Sequence, residues 1–90
     1  MTNPTSNAPA DHVRLGSVQA AIWRNVDSEG RIRYSATFEK RYKDANGDWQ
    51  STGSFNRDEL LLAAKAIDMA HTRIFELQAE DRNAASKEAA

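Results

Sequence analysis

Residues 32–43, IRYSATFEKRYK, alternate apolar and polar side chains with a period of two. Successive side chains of a β-strand point to opposite faces, so this period predicts a long antiparallel strand with one face available for a core. The apolar face would carry Ile32, Tyr34, Ala36, Phe38 and Tyr42. The polar face would carry Arg31, Arg33, Ser35, Thr37, Glu39, Arg41 and Lys43. Because the polar side is largely basic, it is the first candidate for a partner-binding surface.

A first extended segment precedes this strand, and a short hairpin loop separates the two. The segment covers residues 13–23, but its alternation changes phase at Gly16 and Ser17, which predicts a turn or a bulge there. Residues 26–30 read as the hairpin loop, in which Gly30 can adopt a positive φ angle.

The connection after the long strand is predicted to be a second hairpin. Residues 44–48, DANGD, contain Asn46-Gly47, a dipeptide that favours a type I′ turn because both residues tolerate positive φ. Residues 49–55 supply the last strand, which is weakly patterned and rich in Ser, Thr and Gly. We therefore expect a sheet of three to four strands.

The clearest helix signal begins at Asn56. This residue can cap the helix and Glu59 occupies the capping-box position, so the helix should begin at Arg57. Apolar residues then recur at spacings of three and four along one face, at Leu60, Ala63, Ala64, Ile67, Ala70, His71 and Ile74. A flank widens this stripe, and we expect it to form the contact of a homodimer through Leu62, Ala66, Met69, Arg73 and Leu77.

These signals define one small domain between two polar tails. Residues 1–11 contain both prolines and no apolar run, so we expect a disordered N-terminal tail. Residues 12–79 form a single sheet-plus-helix domain, and residues 80–90, which lose the apolar period, form a polar C-terminal tail. Strands followed by one amphipathic helix predict an α+β fold with the helix on one face of the sheet.

Composition restricts the function classes. The chain has 90 residues, no cysteine and a net charge of −1, which leaves room for one core and for neither a disulfide nor a thiolate metal site. No apolar run is long enough to span a bilayer, and we expect a soluble cytoplasmic protein with no membrane partner. The sequence has no nucleophile motif, phosphate loop or metal-ligand spacing, so we predict a non-catalytic protein with no metal site and no cofactor.

Charge is unevenly distributed between the predicted sheet and the predicted helix. Residues 13–56 carry seven basic and five acidic side chains, whereas residues 57–82 carry four basic and six acidic ones. The cations on and near the long strand are suited to phosphate oxygens, and they are Arg24, Arg31, Arg33, Lys40, Arg41 and Lys43. The alternative is that these side chains only keep an exposed sheet face solvated and prevent edge pairing.

Three other residues have two interpretations each. Trp23 points opposite to Ile22 in the alternation, so it would either stack on a base or fill a second core. Trp49 directly follows the second hairpin, where cross-strand packing of an aromatic is more common than ligand binding. We expect His71, on the apolar helix face, at the edge of the core or of the dimer contact rather than as a ligand.

The order of these features resembles a known module. The chain reads as VRLG, a strand to Trp23, a hairpin, a strand through EKRYKD, a turn at NGD, and TGSFN opening a terminal helix. Over residues 13–77 this is similar to the single-stranded-DNA-binding domain of the transcriptional coactivator positive cofactor four, in the wider group that includes the plant Whirly proteins. The resemblance implies a curved antiparallel sheet with the helix behind it, a homodimer formed partly through that helix, and binding of unpaired strands by basic and aromatic side chains.

Individual positions match this family or depart from it. Tyr42 falls where the family carries an aromatic at the end of the long strand, and Arg24, Arg31 and Arg33 surround the hairpin where it carries cations. Residues 50–53, QSTG, lack the cation of the family's basic loop, and Glu39 stands where the family pattern has an arginine. Fewer phosphate contacts imply weaker binding at physiological salt.

The first prediction is a homodimer that binds single-stranded DNA, or RNA, by electrostatic attraction and base stacking. The predicted nucleic-acid-binding residues are Trp23, Arg24, Arg31, Arg33, Lys40, Arg41, Tyr42 and Lys43. The alternative is a protein-interaction module that docks a partner through the helix flank or a sheet edge. A third interpretation is a small hydrolase or ligand-binding domain at the dimer seam, for which the sequence shows no convergent group of titratable residues.

Overall fold

The computed structural model describes residues 8–89, and it describes side chains as far as residue 85. Four strands precede one long helix: β1 Asp11–Leu15, β2 Val18–Val26, β3 Ile32–Lys43, β4 Trp49–Thr52 and α1 Arg57–Ala89. The strands form an open antiparallel sheet in the order β1-β2-β3-β4, so each strand pairs with its neighbours in the chain. The predicted α+β architecture is confirmed. The prediction of a disordered tail falls partly on residues 1–7, which lie outside the described residues.

The phase change at Gly16 and Ser17 marks a two-residue hairpin between β1 and β2. Leu15 pairs with Val18, and Gly16 has a φ angle of 58° whereas Ser17 has no positive φ. A glycine with positive φ at the first of two loop positions is the arrangement of a type II′ turn. This turn explains why the inward-facing residues change from odd to even positions along the sequence.

The two longer hairpins share one construction, Asp-x-x-Gly. The carbonyl oxygens of Asp27 and Asp44 each accept a hydrogen bond from the glycine three residues later, and both glycines have a φ angle of 83°. Each aspartate Oδ1 also accepts two backbone N–H groups of its own loop. This is a type I turn followed by a glycine bulge, so the predicted type I′ turn is wrong. Asn46 does not adopt positive φ, because the Asp44 carboxylate holds its N–H in the turn.

The first turn of α1 is the reciprocal capping box that the sequence predicts. The Asn56 side-chain oxygen accepts the backbone N–H of Glu59 at 3.0 Å, and Glu59 Oε1 accepts the backbone N–H of Asn56 at 2.9 Å. The helix then continues to Ala89, so most of the segment predicted as a polar C-terminal tail is helical. That segment contains four alanines, two glutamates, one lysine and one arginine, which have high helix propensity and need no apolar period to form a helix. Within the described residues, no helix is both long and apolar enough to span a membrane.

The core lies between α1 and one face of the sheet. The largest fully buried side chains are those of Val18 and Ile22 in β2, each of which contributes about 1.5–3 kcal/mol by leaving water. From the helix the core takes three small residues, Ala63, Ala66 and Ala70. Small side chains let the helix approach the sheet closely, and larger residues close the sides: Leu15, Tyr34, Phe38, Phe55, Leu62, Ile74 and Leu77.

The flank of α1 that was predicted to contact a second copy faces this chain's own sheet. Ala66 is fully buried, so its assignment to a dimer contact is wrong. Leu62 and Leu77 pack against the core, and Arg73 Nε donates to the Asp11 carboxylate. Met69 is 37% exposed. The side of α1 that carries Ala66 packs against β2. The stripe predicted to face the sheet includes the bulkier Leu60 and Ile67, which would hold the helix away from it.

Candidate nucleic-acid interface

The sheet has one face under α1 and a second face, called the open face, which no described element covers. Residues that pair across strands share a face, so the register assigns each strand residue to one of the two. Ile22 pairs with Ala36 on the helix side, whereas Trp23 pairs with Ser35 on the open face. The open face consists of alternate residues of every strand, from His12 in β1 to Ser51 in β4.

Two of the predicted phosphate-binding cations lie on the helix side. Arg24 pairs with Tyr34, and its Nη2 atom lies 3.2 Å from Oδ1 of Asp81 in α1. Lys40 Nζ lies 2.7 Å from Oε1 of Glu59. The prediction that these cations share a surface with the rest is corrected, because even-numbered positions of β2 and β3 face the helix and its carboxylates.

Arg31 and Arg33 lie at the hairpin between β2 and β3, where loop carboxylates are close to both. Arg31 donates to Asp27 at 3.1 Å and to Glu29 at 2.6 Å. Arg33 Nε is 3.9 Å from the same Asp27 carboxylate, and this longer contact leaves its guanidinium more accessible. Arg41 lies eight positions after Arg33, which corresponds to about 26 Å of strand, so the predicted cations do not form one patch.

The two predicted stacking residues, Trp23 and Tyr42, face opposite sides of the sheet. Tyr42 lies on the same side of β3 as Lys40 and is 42% exposed where the strand extends toward β4. Trp23 lies on the open face, and its Nε1–H donates to Thr37 Oγ1 at 3.1 Å. A strand of nucleic acid on the open face can therefore contact Trp23 but not Tyr42, which corrects the prediction that both stack on one ligand.

A compact group of cations surrounds Trp49 at the β4 end of the open face. The Arg41 guanidinium carbon lies 5.7 Å and Lys43 Nζ lies 5.6 Å from the centre of the Trp49 ring. Arg14 of β1 lines the same recess of about 310 Å³, beside Gln19. We call Arg14, Arg41, Lys43 and Trp49 the basic–aromatic cluster. Among residues 8–85, none of its three cations takes part in an ion pair, so they are accessible to an anion.

Arg14 and Trp49 are not among the binding residues predicted from the sequence, although the sequence carries a signal for each. Arg14 alternates with Val13 and Leu15, which indicates that it faces away from the core. Trp49 pairs with Lys43 across the hairpin, so it shares a face with Lys43 and Arg41. Its exposure of 60% shows that cross-strand packing uses only part of its ring.

Carboxylates keep the helix-side cations engaged at neutral pH. The pKa of Asp81 lies below its ordinary value because the Tyr34 hydroxyl donates to it, with a further contribution from Arg24. The pKa of Glu59 is lowered chiefly by its hydrogen bond from Lys40. Both carboxylates are therefore ionised wherever the protein would meet a polyanion, and they compete with it for their partners.

In the described residues, no three or more His, Asp or Glu side chains form a group that could hold a metal ion. Comparison of the chain with protein-family models, curated proteins and solved structures gives no significant match. The resemblance to a single-stranded-DNA-binding module therefore remains a prediction from the sequence.

Proposed function

We propose that this protein is a non-catalytic binder of single-stranded nucleic acid, DNA or RNA, and that the open face is its binding surface. The observation that carries the proposal is the basic–aromatic cluster, in which two cations lie against an exposed indole and a third lines the same recess. The exposed ring offers a platform for a base, and the unpaired cations offer charge to phosphates. Arg33 and Trp23 extend this surface along β2 and β3.

Energies favour a ligand-bound cluster over a merely structural one. A cation at an exposed site gains only about 0.5–1 kcal/mol from an aromatic ring, so Arg41 and Lys43 can turn to phosphates at little cost. Stacking of a base on an aromatic side chain contributes about 1–3 kcal/mol, whereas a cross-strand pair such as Lys43–Trp49 contributes about 0.2–1 kcal/mol. The cluster therefore has more to gain from a ligand than from its contacts within the chain.

The unpaired form of nucleic acid suits this surface because Trp49 and Trp23 need accessible base faces. In a duplex the base faces are stacked on one another, and only edges and phosphates remain exposed. Non-specific phosphate contacts would still give the duplex some affinity, which falls steeply with salt. We therefore expect preference for single strands rather than exclusion of duplexes.

Fluorescence anisotropy of a labelled oligonucleotide tests the proposal. We expect saturable binding of single strands that weakens with salt, and weaker binding of the duplex of the same length. Trp49→Ala should weaken binding about fivefold to a hundredfold through loss of one stacking platform.

A matched pair of charge-neutralising variants provides the control. Arg41→Gln should weaken binding, whereas Arg57→Gln removes the same charge from an almost fully exposed position on α1 and should change little. No saturable binding at micromolar protein, or equal losses in the two variants, contradicts the proposal.

We also propose that the protein self-associates through α1, by a stripe other than the one predicted from the sequence. Leu60, Ile67 and Phe75 are 54%, 50% and 66% exposed, and with Ala64 and His71 they recur at spacings of three and four. This helix stripe approximates the repeat of a helix–helix seam, and Ala64 permits close approach. A second copy presents the same stripe, so one two-fold axis would cover it on both copies.

Analytical ultracentrifugation tests the association. Ile67→Glu should convert the dimer to a monomer, whereas Leu61→Glu, about 100° around the helix from Leu60, should leave it unchanged. A wild-type monomer at high micromolar concentration contradicts self-association. If the wild-type protein is a monomer, the alternative of a protein-interaction module would be supported by a loss of function in Ile67→Glu with unchanged oligonucleotide binding.

A further inference from the structure

A second recess lies on the open face next to the basic–aromatic cluster. It has a volume of about 280 Å³ and is lined by Pro9, His12, Gln19, Ala21, Trp23, Thr37 and Glu39. Ala21 is only 8% exposed and forms a flat apolar floor between larger neighbours. We call this site the Trp23 recess. It combines an aromatic wall with a few convergent polar groups, which is the composition of small-ligand sites.

The wall of the recess is held in place by a hydrogen bond within the sheet. The indole N–H of Trp23 donates to Thr37 Oγ1, and Thr37 is the register partner of Ala21 on the neighbouring strand. An indole has only this one donor, so the ring has no further hydrogen-bonding group to satisfy. Trp23 therefore presents fixed apolar surface to whatever enters the recess.

The polar residues that line the recess are Glu39 and Gln19, together with His12 and Thr37. Glu39 and Gln19 are register partners, so their Cβ atoms stand about 5 Å apart on the same face. Glu39 is half-buried and, among residues 8–85, takes part in no ion pair, unlike Glu59 on the helix side. An ionised carboxylate accepts hydrogen bonds only, whereas the Gln19 amide can both donate and accept.

The recess adjoins the phosphate-binding part of the proposed interface. Gln19 lines both the Trp23 recess and the recess of the basic–aromatic cluster. Lys43 lies four positions after Glu39 in β3, which corresponds to about 13 Å along the strand. A strand of nucleic acid with phosphates near Arg41 can therefore place a nearby base against Trp23.

We infer that the Trp23 recess selects bases that carry an exocyclic amine, and this inference rests on the proposed function. The amine of cytosine donates to Glu39, while Gln19 donates to the neighbouring ring acceptor. The base stacks on Trp23. Thymine and uracil place a carbonyl oxygen where cytosine has its amine, so two acceptors would face each other. Glu39 is then a specificity-determining residue, and its negative charge does more than weaken the binding of phosphates.

Binding of oligodeoxycytidine and oligodeoxythymidine of equal length tests the inference. We expect the wild-type protein to bind oligodeoxycytidine about fivefold to tenfold more tightly. Glu39→Gln should bring the affinity ratio close to one, because its amide can donate to the thymine carbonyl. The ratio is the readout, since removal of a negative charge strengthens binding of every oligonucleotide.

Asp48→Asn is the matched control for that change in charge. Asp48 is exposed in the hairpin beside Lys43 and lies outside the recess, so this variant should raise both affinities and preserve their ratio. In a Trp49→Phe variant, Trp23 is the remaining tryptophan of the two in the chain, and oligodeoxycytidine should quench its fluorescence.

The outcomes separate the two proposals. Equal affinities of the wild-type protein for the two oligonucleotides, or an unchanged ratio in Glu39→Gln, overturn the inference about the recess but leave nucleic-acid binding intact. Absence of quenching in Trp49→Phe, with binding retained, also overturns it. Absence of binding to either oligonucleotide overturns the proposed function as well.

Discussion

Both faces of the sheet carry cationic side chains, but the groups that contact these cations differ. On the helix side, cations meet carboxylates, as Lys40 meets Glu59, and each charge is neutralised within the chain. On the open face, Arg41 and Lys43 lie against the exposed ring of Trp49, and no carboxylate pairs with them in the described residues. A basic strand is therefore not one surface, because its alternation divides the cations between a structural face and a face accessible to a ligand.

Removal of a core side chain should give the largest loss of stability, and substitutions on the two faces should differ in this loss. Ile22→Ala on the helix side removes a fully buried side chain and should lower the free energy of unfolding by about 2–5 kcal/mol. Trp49→Ala on the open face should lower it by less than about 1 kcal/mol, since most of its surface is already exposed. Urea denaturation followed by circular dichroism measures both. Similar losses in the two variants would mean that the open face belongs to a second core.

Removal of cations should change the salt dependence of oligonucleotide binding on the open face but not on the helix side. The double variant Arg41→Gln, Lys43→Gln should weaken oligonucleotide binding about tenfold or more and reduce the slope of log affinity against log salt by about two. Arg24→Gln should leave that slope unchanged, because Arg24 is paired with Asp81 and faces the helix side. Anisotropy titrations at four salt concentrations measure the slopes. A reduced slope in Arg24→Gln would show that the helix-side ion pairs open to the ligand.

Much of the fold could be predicted because several local signals agreed with one another. The alternation of residues 32–43 predicts β3, the phase change at Gly16 marks the β1–β2 turn, and the Asn56–Glu59 box defines the start of α1. Each of these signals depends on neighbouring residues alone, so the sequence contains it in full. The turn at Asn46 differed because the Asp44 carboxylate, rather than the Asn-Gly dipeptide, selects the turn type.

The candidate site was only partly predictable because it depends on contacts between distant residues. Arg24 and Lys40 belong to the basic set in composition, but Asp81 and Glu59 lie far away in the sequence and remove them from it. The sequence does not show which side of α1 faces the sheet either, because both flanks of its stripe are apolar. Close packing on β2 selects the side with Ala66, and this leaves bulkier residues exposed.

Substitution of Gly47 should disturb the hairpin that brings Trp49 beside Lys43. Gly47 has a φ angle of 83°, and an alanine there should lower the free energy of unfolding by about 1–2 kcal/mol. Gly53→Ala is the matched control, because Gly53 has no positive φ and an added Cβ would meet no atom within 4 Å. Gly47→Asn should be milder than Gly47→Ala, since asparagine tolerates this region. Thermal unfolding compares the three, and equal effects at the two glycines would argue against the bulged turn.

The smallest effect should be an acid-dependent loss of stability on the helix side. The folded state lowers the pKa of Asp81 below its ordinary value of 3.8 and that of Glu59 below 4.5. The unfolded chain therefore binds protons first on acidification, so these carboxylates contribute stability above about pH 4.5 that is lost as the pH falls through their lowered pKa values. Asp81→Asn should reduce the stability at pH 7 by about 1 kcal/mol or less, because its contact with Arg24 is partly exposed, and should flatten the loss below pH 4.

Tyr34→Phe sharpens that experiment, because it removes the donor that contributes most to the lowered pKa of Asp81 and leaves the carboxylate in place. The acid-induced loss should then be smaller than in the wild-type protein and be complete at a higher pH, because the pKa of Asp81 in the folded state lies closer to that in the unfolded state. Oligonucleotide binding at neutral pH should be unchanged, since Tyr34 faces the helix. Urea denaturation between pH 3 and pH 7 measures the stability profile. If Asp81→Asn retained the full wild-type loss on acidification, the ion pairs under α1 would not be what distinguishes that face from the open one.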